Sequence, residues 1–202
     1  LLFRITDELV LLGVAKKQFK IKHQAYVEGV KKGNRIMENN EIDLKVSHLY
    51  KKYHGAENYA VQDFSMNLKG GKIYGFLGKN GAGKSTIIKS IVGIHGFEKG
   101  TIEVCGHDVS EEAMEAKKDI GFVPDNYALY ENLTGRQYIS YIADLFEVKK
   151  DVRKAREEDL VKRLEMTQRY DKPMKTYSHG MKQKITIIAA LIHEPKVWIL
   201  DE

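Results

Sequence analysis

The 202-residue sequence has little of what marks many protein classes. Its one cysteine, Cys105, leaves no partner for an internal disulfide, so the chain reads as suited to a reducing, cytosolic setting. It has no run of about 18 consecutive apolar residues, which excludes an encoded transmembrane helix. It has no internal repeat and no low-complexity tract. Apolar residues make up 43%, which argues against a disordered or collagen-like chain. No signal-peptide pattern precedes a small-residue cleavage site. Most of the chain also lacks a basic excess. Residues 1–36 carry eight basic and three acidic side chains, whereas 37–202 carry 25 of each. The net charge of +5 therefore sits in the N-terminal segment. The remainder shows no electrostatic footprint for nucleic acid.

The length suits one ordinary domain with a small appendage. The chain opens on Leu1, not Met, and closes on Asp201-Glu202 directly after Val197-Trp198-Ile199-Leu200. Because a domain rarely stops at the edge of a buried strand, the reading is a piece cut at both ends. Its C-terminal part is expected to be missing, with the last strand bare on at least one side. Residues 1–36 contain no Pro, and stretches 7–12 and 24–27 favour helix, limited by Gly13, Gly29 and Gly33. Met37 then reads as a candidate true start. Two readings of 1–36 stand: in-frame read-through from an upstream gene, or a genuine helical N-terminus.

From residue 37 onward, strand and helix patterns alternate. Residues 42–49 and 61–68 alternate with period two and predict half-buried strands, the second ending at the Gly70-Gly71 turn. Residues 72–77, 101–105, 120–123 and 196–200 predict strands, and 84–92 and 180–193 predict helices. Residues 134–167 read as helical, with Tyr138, Ile139, Ile142, Leu145 and Phe146 at three- and four-residue spacing. This order predicts an α/β fold with parallel strands and an inserted helical subdomain at about 126–178.

The strongest chemical signal is Gly78-Lys79-Asn80-Gly81-Ala82-Gly83-Lys84-Ser85-Thr86, between a predicted strand and a predicted helix. It matches G-x-x-x-x-G-K-[ST], the phosphate loop. Glycines let backbone N–H groups surround phosphate oxygens, and the helix N-terminus adds a positive dipole end. Lys84 supplies a point charge for β- and γ-phosphates. Ser85 supplies a hydroxyl for Mg²⁺, and Thr86 faces the α-phosphate side. The second signal is the apolar strand that delivers Asp201 and Glu202. Asp201 is expected to hold Mg²⁺ through water, and Glu202 to polarise the attacking water.

The third signal is Tyr177-Ser178-His179-Gly180-Met181-Lys182-Gln183, at a predicted helix start between the other two. It resembles the L-S-G-G-Q signature of ATP-binding cassette (ABC) proteins, with Tyr177, His179 and Met181 as departures. In that family the positions of Ser178 and Gly180 carry phosphate contacts. The resemblance covers about residues 42–202 and is nearest to bacterial exporter-type members. It implies a P-loop NTPase core with an N-terminal antiparallel β part and an inserted α-helical subdomain.

The resemblance also implies Tyr53 as the aromatic that stacks on adenine, and Ser178, His179, Gly180 and Met181 as contacts to the ATP of a partner subunit. Asp125 stands where the family carries a Gln near the metal. Its shorter, anionic side chain leaves a metal contact open. Residues 127–135 resemble the entry to the helical subdomain, with Thr134 as a helix cap.

Expected ligands are ATP and Mg²⁺. Expected partners are a second nucleotide-binding subunit in a head-to-tail dimer and separate integral-membrane permease subunits, with no nucleic acid. The place is cytoplasmic, peripheral on the inner membrane face. Competing readings are a soluble cassette ATPase acting on ribosomes or DNA, and an inactive nucleotide-binding fragment. His48, His95, His107 and His193 read as scattered, Cys105 as a core residue, and residues 153–159 as a solvated helix face.

Overall fold

The computed structural model describes residues 2–5, 42–126 and 128–201. The helix readings at 7–12 and 24–27, the candidate start at Met37, and Glu202 lie outside the described residues.

One sheet is antiparallel. Strand β2 (Ile42–Lys51) pairs with β3 (Val61–Lys69) on one side and β5 (Lys99–Val104) on the other, and β5 pairs with β6 (His107–Asp108). The alternation read from the sequence places Leu44, Val46, Leu68, Ile102 and Val104 on its buried face.

The second sheet runs in the order β4 (Ile73–Gly75), β1 (Leu2–Ile5), β8 (Val197–Leu200), β7 (Ile120–Val123). The expected parallel pairing holds for β7 and β8, in register from Ile120↔Val197 to Val123↔Leu200. It does not hold for β1, which is antiparallel to both β4 and β8. Nor is β8 bare on one side, as the sequence reading has it. Unpaired N–H and C=O groups along β4 and β8 accept a short extended segment, and Leu2–Ile5 satisfies both ladders.

Two apolar clusters form the core. The first lies among β2, β3, β5, β7, β8, helix α1 (Lys84–Ile91) and helix α2 (Ala113–Lys118). The second gathers α3 (Gly135–Leu145), α4 (Lys150–Arg163) and α5 (His179–Leu191) around Trp198 and Val123. Strand β8 serves both, sending Val197 and Ile199 to the first and Trp198 and Leu200 to the second.

The stretch 134–167, read as one helical pattern, is two helices. Helix α3 opens on a capping box. Thr134 Oγ1 accepts from Gln137 N–H at 3.2 Å, and Gln137 Oε1 accepts from Thr134 N–H at 2.9 Å. It closes at Glu147, whose φ is +55°. There Val148 N–H donates to Ala143 O and Glu147 N–H to Asp144 O, the paired bonds that end helices on a left-handed residue.

Residues 153–159 form the expected solvated face at Lys154, Ala155, Glu158 and Asp159, which are exposed, and depart from it at the other three positions. Glu157 is buried and accepts from Arg136 Nη1 at 2.8 Å. Arg153 reaches Ser140 O and Asp144, and Arg156 reaches Ile192 O and Glu194. These bonds stitch α4 to α3 and to the end of α5.

Candidate functional site

Three segments that carry expected site residues leave the second sheet at one edge. Gly75 of β4 and Leu200 of β8 both pair with Leu2, on its two sides. They therefore stand level, about 10 Å apart at two strand spacings. Beyond Gly75 the chain enters the loop Gly78–Gly83, and beyond Leu200 it reaches Asp201. Asp201 N–H donates to Val123 O at 3.0 Å, and its side chain is buried and partnered. Asp125 follows Pro124 at the end of β7 and is exposed. This is the edge formed by the C-terminal ends of parallel strands, where open α/β sheets bind ligands.

The loop geometry requires its glycines. Gly81 and Gly83 adopt φ of +82° and +84°. A Cβ on Gly83 would also stand 2.5 Å from Ala60 O, so any side chain is doubly opposed there. Asn80, Gly81 and Ala82 are exposed, which leaves the loop's outer surface open. The loop curls around its own lysine: Lys84 Nζ donates to Gly78 O at 2.8 Å and Lys79 O at 2.9 Å. Ser85 is exposed in the first turn of α1, which holds no acidic residue. An inward-facing ammonium, an open loop and an uncompensated helix N-terminus together form a cradle for anions.

The loop is joined to Tyr53. Tyr53 OH and Thr86 Oγ1 are 3.1 Å apart, and Tyr53 is 40% exposed. Lys51 Nζ stands 5.6 Å from its ring centroid, and His95 meets it edge-to-face. Tyr53 and His95 are far apart in sequence, and no linear signal links them; sequence reading set His95 aside.

The signature residues stand on the helical unit. Ser178 caps α5, its Oγ accepting from Met181 N–H at 3.3 Å. His179 and Gly180 are exposed, and the position of a Gly180 Cβ is open space. Tyr177, a departure from the signature, is buried, with its hydroxyl donating to Arg169 O at 2.9 Å. The structure thus groups Tyr53 with the loop and places Asp125 and Asp201 at its edge. Ser178–Met181 occupy a different element, bonded to their own helix.

No group of three or more His, Cys, Asp or Glu that could hold a metal occurs among the described residues. That suits Mg²⁺, which takes one or two protein ligands and completes its shell with water and phosphate. The Ser85 hydroxyl and the Asp201 carboxylate are oxygen groups of the kind such an ion takes, directly or through water.

Between the two units lies a largely apolar cleft of about 360 Å³, lined by Val92, Ile120 and Phe122 on one side and Tyr138, Ile142 and Phe146 on the other. His193 lines it too. Its ring stacks on Phe146 at 3.8 Å, its Nε2–H donates to Ile120 O at 3.0 Å, and its Nδ1 has no partner. Burial, above all, pushes this imidazole down from 6.5 to about 4. The unfolded chain then binds the extra proton between those values, so stability is full above pH 6.5 and falls as pH drops toward 4. Wild type is expected to lose about 2 kcal/mol more than His193→Gln between pH 7 and pH 5. Urea unfolding at both pH values checks this, and equal losses would refute it.

The fold and the site define a P-loop nucleotide-binding unit with an inserted helical part. The family model described as ABC transporter matches residues 61–202, and the chain belongs to this family. It is 37% identical over 142 residues to the Bacillus subtilis (strain 168) proteins YhcH, an uncharacterized ABC transporter ATP-binding protein, and LnrL, a linearmycin resistance ATP-binding protein. Each match covers 70% of this chain and 46% of the relative, so the chain spans less than half the length of these relatives. A solved structure, an ATP binding subunit of an ABC transporter, superposes with a TM-score of 0.70 at 26% identity. It covers 80% of this chain and 66% of that one.

Proposed function

We propose that this chain is the ATP-binding and ATP-hydrolysing part of a transporter subunit, which works in a head-to-tail pair and drives separate membrane subunits. The observation that carries the reading is the single sheet edge where a glycine loop curls around the Lys84 ammonium and Asp201 emerges alongside. In this reading the backbone N–H groups of Gly78, Asn80, Gly81, Ala82 and Gly83 surround phosphate oxygens. Lys84 exchanges two carbonyls for β- and γ-phosphate oxygens. Thr86 borders the α-phosphate, and Tyr53 carries the adenine. Ser85 and Asp201 hold Mg²⁺, with Asp125 as a further candidate; the ion, when bound, neutralises charge on the phosphates. Glu202 orients and polarises the attacking water.

Ser178, His179, Gly180 and Met181 offer a helix N-terminus to the ATP of the partner subunit. Their place on a different unit from the loop supports a shared site between two copies. The apolar cleft supports a permease partner at the inner membrane face, and no described helix is long and apolar enough to cross a membrane. Export is the favoured direction, by analogy, from the exporter-like variant of the signature at Ser178–Met181. The test is hydrolysis by the full-length protein and its distribution on cell fractionation. Activity in the membrane fraction, bound to an integral-membrane partner, is expected. Activity that stays wholly in the soluble fraction would overturn the transporter reading.

A further inference from the structure

We infer that the connection between α1 and β5 belongs to the base side of the nucleotide site, with His95 and Glu98 as positioning residues that hold Tyr53 in place for the base. This rests on the reading of Tyr53 as the adenine platform. Tyr53 leans on both ends of one short helix. Its hydroxyl meets Thr86 in the first turn of α1, and its ring meets His95 just past the last turn, at a centroid distance of 5.6 Å and an interplanar angle of 89°. Tyr53 thus touches the first turn of α1 and the connection that follows its last turn.

His95 is fixed by the way α1 ends. Gly93 takes φ of +71°, which glycine adopts without strain. Gly93 N–H then donates to Ser90 O, and Ile94 and His95 N–H both donate to Lys89 O, at 2.8 and 3.0 Å. The imidazole is thus set by a hydrogen-bonded helix terminus. Glu98 fixes the chain just before Tyr53. Its Oε2 accepts from Lys52 N–H at 2.7 Å, its Oε1 from Lys51 Nζ at 3.2 Å, and its own N–H donates to Tyr50 O at 2.9 Å. Desolvation alone would raise this carboxyl, but the Lys52 N–H and the Lys51 ammonium outweigh it and hold it below its ordinary value. Lys51, so held, sits 5.6 Å from the Tyr53 ring centroid.

Tyr53 itself and the three residues before it are therefore tied to the connection that leaves the phosphate-loop helix. The base platform and the phosphate loop move as one body, and the cost of ordering Tyr53 is met before the nucleotide arrives. An edge-to-face aromatic contact of this kind is worth a few-fold in an equilibrium constant.

The test compares ATP with inorganic tripolyphosphate, which has phosphates and no base, by calorimetry on the full-length protein with Mg²⁺. His95→Ala and Glu98→Ala should each weaken ATP binding about 2- to 10-fold and leave tripolyphosphate binding unchanged. His95→Phe, which keeps an aromatic edge, should restore ATP binding. Tyr53→Ala fixes the whole contribution of the platform. Unchanged ATP affinity in both alanine variants, while Tyr53→Ala weakens it, would overturn the inference and leave the platform standing. No effect of Tyr53→Ala would remove the platform and the inference with it. Equal losses for ATP and tripolyphosphate would show a general disturbance and also overturn it.

Discussion

Lys84→Ala is expected to weaken Mg-ATP binding by about 10- to 150-fold, the equivalent of the 1.5–3 kcal/mol that a hydrogen bond to a charged group contributes. In the structure the ammonium is held by two neutral carbonyls, Gly78 O and Lys79 O. Among the described residues no carboxylate holds it, so the exchange runs from weak acceptors to strong, charged ones. Removing it should cost the fold little, since the bonds this half-buried side chain makes to described residues lie within the loop. Calorimetry on the full-length protein, with thermal unfolding as a control, measures both quantities. Unchanged affinity with an intact fold would remove Lys84 from the site.

Glu202→Gln should act on turnover and spare binding. The amide keeps the shape of the carboxylate but cannot take a proton from water, so hydrolysis should fall by about 10²- to 10⁴-fold. ATP then stays bound. If each nucleotide lies between the loop of one copy and Ser178–Met181 of another, trapped ATP stabilises the pair by linkage. Size-exclusion of the full-length variant with Mg-ATP should show a dimer that the same protein without nucleotide lacks. A monomer at nucleotide concentrations well above the binding constant would refute the shared site, and normal hydrolysis would refute the role of Glu202.

Much of this molecule is legible one residue at a time. Period-two alternation gives β2 and β3, and the short apolar run closed by Pro124 gives β7. The cap at Thr134 follows from a hydroxyl three residues before Gln137. The phosphate loop is visible because its backbone conformation requires glycine at fixed positions. Other features depend on distant partners. Glu147 ends α3 in a left-handed conformation with no glycine to announce it, so two helices read as one. Strand β1 pairs with segments far along the chain, and four residues carry no period long enough to reveal it. Glu157 and Arg153 look like surface charges until α3 supplies their partners. His95 reads as an isolated histidine because Tyr53, 42 residues earlier, is its neighbour only in space.

Strand β8 has only four residues, yet Val197 and Ile199 anchor one core and Trp198 and Leu200 the other. The strand works as a party wall between two rooms. The helical unit hangs on that wall by Trp198 and Leu200. It cannot slide along it, because a shift of one residue would turn Trp198 into the wrong core and carry Asp201 with it. Both rooms thus set the position of the carboxylate at the end of β8, while the strand keeps its register beside β7.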